Sequence, residues 1–190
     1  NKDITIDLNG HSIVNDLPEG GGRVLWTQNG NLTLKSSATA EGTEVVNGTI
    51  EGKTAIWAVG SANKNINVDI TNVDLITSGQ YGVVVAYADF TFENSAMEHE
   101  VDSISAQVEA IHGELNSNIT IRNSTVTAIS PESEQYSLMA LTASTTNVTI
   151  ENSEIISEGS TLSYGVLVHG RYSNEEASEA VSDTNCDTYY

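Results

Sequence analysis

A short motif recurs along the chain and limits the possible folds more than any other feature. In each copy an Asn or Asp precedes apolar–Thr–apolar, a polar residue and often a second Asn. The clearest copies begin at Asp89, Asn118 and Asn147, which are 29 residues apart, and a weaker copy begins at Asn67. A fixed spacing of this size is typical of chains built from stacked structural repeats.

Two further apolar segments accompany each copy of the motif. One is a small residue followed by an apolar run, with residues 23–26 as its first copy; the others start at Ala55, Gly82, Ala110, Ser137 and Gly165. The other segment follows the Asn, as at Val73–Thr77, Thr125–Ile129 and 154–157. Each repeat of about 28 residues therefore contains three short strands, and alternation along each strand turns one face inward.

Three strands per repeat predict an all-β parallel β-helix (a solenoid) of about six coils, in which each coil hydrogen-bonds to its neighbours. We expect this domain to cover residues 1–171. Residues 172–190 break the repeat and are predicted to be an acidic C-terminal tail or a cap.

The Asn residues that end the motif fall in one register, at Asn72, Asn94, Asn123 and Asn152. Asn tolerates the left-handed backbone conformation of a tight corner. With the opening run at residues 4–13, this register resembles the pectate lyase-like right-handed parallel β-helices, and in particular adhesin-like bacterial surface proteins. The resemblance implies that the strands after Gly82, Ala110 and their equivalents form the sheet that lines the substrate cleft in the enzymes of this fold.

The residues that those enzymes use for catalysis are not recognisable in this sequence. Pectate lyase-like enzymes combine a carboxylate cluster that holds calcium with an Arg base, but Arg122 is expected to face solvent away from the cleft sheet. His169, Gly170 and Arg171 match the polygalacturonase-like pattern only in part, and no Asp-Asp pair occurs. We therefore predict no catalytic residues and no cofactor.

Acidic residues on two neighbouring loops are the one alternative, as structural calcium ligands. These are Glu98, Glu100, Asp102, Glu132 and Glu134. We favour a solvated acidic surface instead, and we expect His99, within this acidic stretch, to be exposed.

An apolar stripe on the third strand of each coil is the predicted ligand-binding face. The spacing places Trp57, Val84, His112, Met139 and Leu167 in one row, and the row beside it is also apolar, so one of the two must face outward. Three tyrosines fall in a further register. The predicted binding residues are Trp57, Tyr81, His112, Tyr136, Met139, Tyr164 and Leu167. A structural alternative is that the tyrosines form an internal stack at a corner and that the tail or a neighbouring domain covers the apolar row.

The chain carries 7 Lys and Arg against 26 Asp and Glu, a formal net charge of −19. This charge argues against binding to nucleic acids and to anionic membranes, and no apolar run is long enough to insert into a membrane. The single Cys186 cannot form an internal disulfide. We predict a non-catalytic, extracellular, adhesin-like domain of a larger multidomain surface protein that binds a glycan or a host surface protein. A polysaccharide lyase or glycoside hydrolase, and a structural spacer, are the alternatives.

Overall fold

The computed structural model describes residues 2–16, 22–40, 44–144, 146–169 and 188–189. Within these ranges the regular elements are all strands, and all but the last of them stack into three parallel sheets. The fold is the predicted right-handed parallel β-helix with three strands per coil. Of the predicted tail, only Thr188–Tyr189 belongs to the described residues; it pairs antiparallel with the last strand of the third sheet.

Each coil contributes one strand to each sheet. Sheet A contains β1 (Ile4–Asp7), β4 (Leu32–Lys35), β7 (Ile66–Thr71), β10 (Ala88–Glu93), β13 (Asn118–Arg122) and β16 (Asn147–Glu151). Sheet B contains β2 (Ser12–Val14), β5 (Gly48–Gly52), β8 (Val73–Thr77), β11 (Ala96–Glu100), β14 (Thr125–Ile129) and β17 (Glu154–Glu158). Sheet C contains β3 (Arg23–Gln28), β6 (Thr54–Val59), β9 (Tyr81–Ala86), β12 (Val108–Glu114), β15 (Leu138–Ser144), β18 (Ser163–His169) and β19 (Thr188–Tyr189).

The core consists of inward rows in which like side chains stack from coil to coil. In sheet A one such row runs through Leu34, Ile70, Phe92 and Ile121, and all four side chains are fully buried. The recurring apolar–Thr–apolar pattern explains this arrangement, because its two apolar residues point inward while the Thr between them points outward.

The predicted asparagine register forms the corner between sheets A and B. Asn72, Asn94, Asn123 and Asn152 all have positive φ, between 48° and 58°. The side-chain amide of Asn123 donates to Asn94 Oδ1 at 3.3 Å, and that of Asn152 donates to Asn123 Oδ1 at 3.4 Å. The ladder thus combines a backbone conformation that Asn tolerates with side-chain bonds between coils.

We expect Asn123→Ala to destabilise the β-helix by about 1–2 kcal/mol, because a Cβ without a compensating polar group makes the left-handed conformation unfavourable. Asn123→Gly should lower the free energy of unfolding much less, because glycine adopts positive φ without steric strain. Urea unfolding of the two variants measures the difference. Equal losses in both would show that the side-chain bonds, and not the backbone conformation, dominate.

The strands of sheet C bend where two successive residues both point into the core. In β12 these residues are Ala110 and Ile111, which are both fully buried in the core. The equivalent buried pairs are Ala55 and Ile56 in β6, and Ala140 and Leu141 in β15. A Cβ added to Gly82 would overlap Met97 Cε and approach the Ala110 carbonyl oxygen. The first residue of each pair is therefore small, and the bend brings together outward side chains that strict alternation would place on opposite faces.

Candidate ligand-binding face on sheet C

The outer face of sheet C carries two rows of side chains that run along the helix axis. The first row contains Tyr81, Glu109, Met139 and Tyr164. The second row contains Trp26, Trp57, Val84, His112, Thr142 and Leu167. Of the predicted binding residues, Trp57, His112 and Leu167 share a row as expected, and so do Tyr81 and Tyr164.

Two of the predicted placements were wrong. Met139 is fully buried and lies in the first row, between Glu109 and Tyr164. Thr142 occupies the position beside His112 that was predicted for Met139. Tyr136 precedes β15 and belongs to neither row. The error has a physical cause. The connection before β15 is longer than the connection before β12, so Ala140, and not Ser137, is the small residue that lies beside Ala110 at the bend.

An arginine and three aromatic rings form a continuous stripe across the first coils. The guanidinium carbon of Arg23 lies 3.8 Å from the ring centroid of Trp57 and 5.1 Å from that of Trp26, so both contacts fall within cation–π range. Tyr81 meets Trp57 edge-on at 6.4 Å. Trp26 is 65% exposed and presents a ring surface to solvent.

A buried carboxylate continues the stripe toward the fourth coil. Glu109 is only 2% exposed, although it lies on the outer face. Its Oε2 is 2.5 Å from His112 Nδ1, and its Oε1 accepts a hydrogen bond from Gln107 at 3.1 Å. The His112 ring lies 5.2 Å from that of Tyr81, and its Nε2 is 3.9 Å from Glu114 Oε2. The ring of Tyr81 and the ionisable groups of Glu109, His112 and Glu114 therefore form one cluster on sheet C.

The two carboxylates change how their neighbours ionise. Burial lowers the pKa of His112, but the hydrogen bond and the charge of Glu109, with a contribution from Glu114, outweigh burial and raise that pKa above its ordinary value. Burial also raises the pKa of Tyr81, and Glu109 and Glu114 add to this rise. The imidazole is thus biased toward its charged form and the phenol toward its neutral, hydrogen-bond-donating form.

Thr142 presents an unsatisfied polar group in the second row. Its side chain is 1% exposed, and Oγ1 has no hydrogen-bond partner among the described residues. Its neighbours in the row are His112 and Leu167. A buried hydroxyl without a partner is unfavourable for folding.

We expect Thr142→Val to stabilise the β-helix by about 1 kcal/mol, because it removes an unpaired buried hydroxyl and nearly conserves shape. Thr120→Val is the matched control on the half-buried outer row of sheet A, and its effect should stay within about 0.5 kcal/mol. Thermal unfolding compares the two. Destabilisation of the Thr142 variant would mean that the hydroxyl is bonded in the folded protein.

Sequence reasoning missed Arg23, Glu109, Glu114 and Thr142 as members of this face. Trp26 was recognisable, because residues 23–26 were already recognised as the first copy of the strand. Strict alternation would place Glu109 and His112 on opposite sides of β12, so their contact depends on the bend.

Several other predictions concern residues outside this face. Arg122 does lie on the outer side of sheet A, where its Nε donates to Glu151 at 2.7 Å. His99 is fully buried, so the prediction of an exposed side chain was wrong: it follows the inward-facing Met97 by two residues along β11. The described residues include no group of three His, Cys, Asp or Glu side chains arranged to hold a metal ion. The solvated acidic surface that we favour over calcium ligands stays a prediction. In the same ranges no helix could span a membrane.

Comparison with known proteins does not assign the chain to a family. No family model, curated protein or solved structure matches it.

Proposed function

We propose that this β-helix is a non-catalytic, adhesin-like domain of an extracellular surface protein, and that the outer face of sheet C binds a glycan. The stripe of Trp26, Arg23, Trp57 and Tyr81 is the observation on which the proposal rests. Aromatic rings in a row stack against the apolar faces of sugars, and coils about 4.8 Å apart repeat such contacts along an extended chain. The polar groups of His112 and Tyr81 add hydrogen bonds that orient hydroxyl groups, while the buried Glu109 holds the His112 ring in place.

A glycan array that includes neutral, amino and acidic oligosaccharides tests this function, followed by calorimetric titration of the best ligand. We expect Trp57→Ala and Tyr81→Ala each to weaken binding by about 10- to 100-fold, which corresponds to about 1–3 kcal/mol. Tyr136→Ala is the matched aromatic control, because Tyr136 lies outside both rows. Equal losses in all three variants would contradict a site on the stripe, and no binding at all would favour a structural spacer. Selective binding of a host surface protein would keep the face but change the ligand class.

The buried Glu109–His112 pair favours a second candidate function, a polysaccharide lyase or glycoside hydrolase. A carboxylate held 2.5 Å from an imidazole is an arrangement that serves as an acid–base pair in enzymes. Incubation with polyuronides and neutral glycans, with product analysis by size, tests it. Chain cleavage that disappears in Glu109→Gln would replace the non-catalytic proposal.

A further inference from the structure

A second surface lies on sheet B, away from the stripe, and one of its outward rows alternates between apolar and acidic side chains over the first four coils. Val14, Glu51, Ile76 and Glu98 are successive partners in register across four coils. Val14 is 53% exposed and Ile76 is 42% exposed, which makes them two of the most exposed aliphatic side chains among the described residues. A partner bound along this row would remove both aliphatic side chains from water, which favours association.

This row forms the floor of a trough, which we name the sheet B groove. It encloses about 400 Å³. An adjoining cavity of about 270 Å³ shares Lys53, Ser78 and Asp102 with it, so the depression continues toward the connection before β12. The lining of the groove itself spans four successive coils along the helix axis, which fits a linear segment better than a compact small molecule.

The groove is strongly acidic. One lysine, Lys53, stands against five carboxylates that line it: Asp16, Glu51, Glu98, Glu100 and Asp102. A partner must therefore bring positive charge, and it must also bring apolar side chains to cover Val14 and Ile76.

The spacing of the row fixes the pattern of the partner. Val14 and Ile76 are two coils apart, as are Glu51 and Glu98, which corresponds to about 9.6 Å along the axis. Three residues of a polyproline II chain make one full turn and cover about 9.3 Å, so every third side chain returns to the same face. We propose that the sheet B groove binds a protein segment in the polyproline II conformation, in which an aliphatic residue and a basic residue each recur at every third position.

The test uses a fluorescein-labelled peptide of repeated Leu-Lys-Gly and a permuted peptide of the same composition, with its leucines together and its lysines together. We expect the repeat peptide to bind at about 0.15 M salt, and to bind more weakly as salt rises, because screening reduces the charge contribution. The permuted peptide should bind at least about tenfold more weakly.

The double variant Ile76→Ser, Glu98→Gln should weaken binding of the repeat peptide by about tenfold or more. Val45→Ser with Glu93→Gln is the matched control: Val45 is 44% exposed, and neither residue lines the groove. Equal weakening by the control, equal binding of the permuted peptide, or no binding at all would each overturn the proposal. Because the groove lies on a different sheet, none of these results bears on glycan binding by sheet C.

Discussion

Acidification from pH 6.5 to about pH 4 should destabilise the folded β-helix by about 3 kcal/mol through His99 alone. Burial lowers the pKa of His99 from 6.5 to about 4. The side chain is fully buried, its Nδ1 is hydrogen-bonded to Thr77 Oγ1 at 2.7 Å, and its Nε2 has no partner among the described residues. The unfolded chain therefore binds a proton in this pH range that the folded protein does not, so stability is complete above pH 6.5 and is lost as the pH falls through about 4.

Urea unfolding at intervals between pH 7 and pH 4 measures this loss, and the difference between the wild type and His99→Gln isolates it from the carboxylates that titrate over the same range. His99→Gln should show a pH dependence flatter by about 3 kcal/mol across this interval. His11→Gln is the matched control, since His11 is exposed. A wild-type curve parallel to that of His99→Gln would mean that His99 is protonated without unfolding.

His112 acts in the opposite direction. Its pKa is raised in the folded state, so it contributes stability below pH 6.5 that is lost as the pH rises through its folded pKa. The two histidines thus favour the folded protein on opposite sides of their ordinary pKa. This is why the His99 experiment compares variants and does not rely on the wild-type curve alone.

Replacement of Glu109 by Gln should reverse the shift at His112. Burial is the largest single influence on that pKa and acts to lower it, and Glu109 supplies most of what opposes burial. In Glu109→Gln we therefore expect the pKa of His112 to fall below 6.5 and the protein to lose about 2 kcal/mol of stability with the charged hydrogen bond. Titration of the imidazole signals by NMR measures the first effect, and urea unfolding measures the second.

Glu114→Gln is the matched control for this experiment, because Glu114 is more exposed and its oxygen lies farther from the ring, at 3.9 Å. It should lower the pKa of His112 by less than Glu109→Gln does. A pKa that stays above 6.5 in Glu109→Gln would show that another group holds the proton on His112.

The corner and the core were predictable from the sequence because both depend on spacing that the chain repeats closely. Asn94, Asn123 and Asn152 are each 29 residues apart, and the structure places them one above another. The inward position of His99 was also readable, since it alternates with Met97, but the acidic residues on either side suggested exposure instead.

The candidate site was less predictable because it depends on departures from regularity. The connection before β15 differs in length from the connection before β12. Thr142 therefore lies beside His112, at the position that the sequence spacing predicted for Met139. The bend at Ala110 and Ile111 places Glu109 and His112 on the same face of the sheet, whereas regular alternation along a strand would place them on opposite faces. Loop length and local bending are set by packing between coils, and a single coil's sequence does not reveal them.

The near-constant corner ladder has a consequence for how such a protein can change in length. Ser95 N donates to Ser124 Oγ at 3.2 Å, and Ser124 N donates to Ser153 Oγ at 3.1 Å, so each corner offers its successor the same set of bonds. Duplication or loss of a 29-residue segment between two such serines would join equivalent positions. Recombination within the gene could therefore lengthen or shorten the rod by whole coils while the exposed faces on either side keep their chemistry.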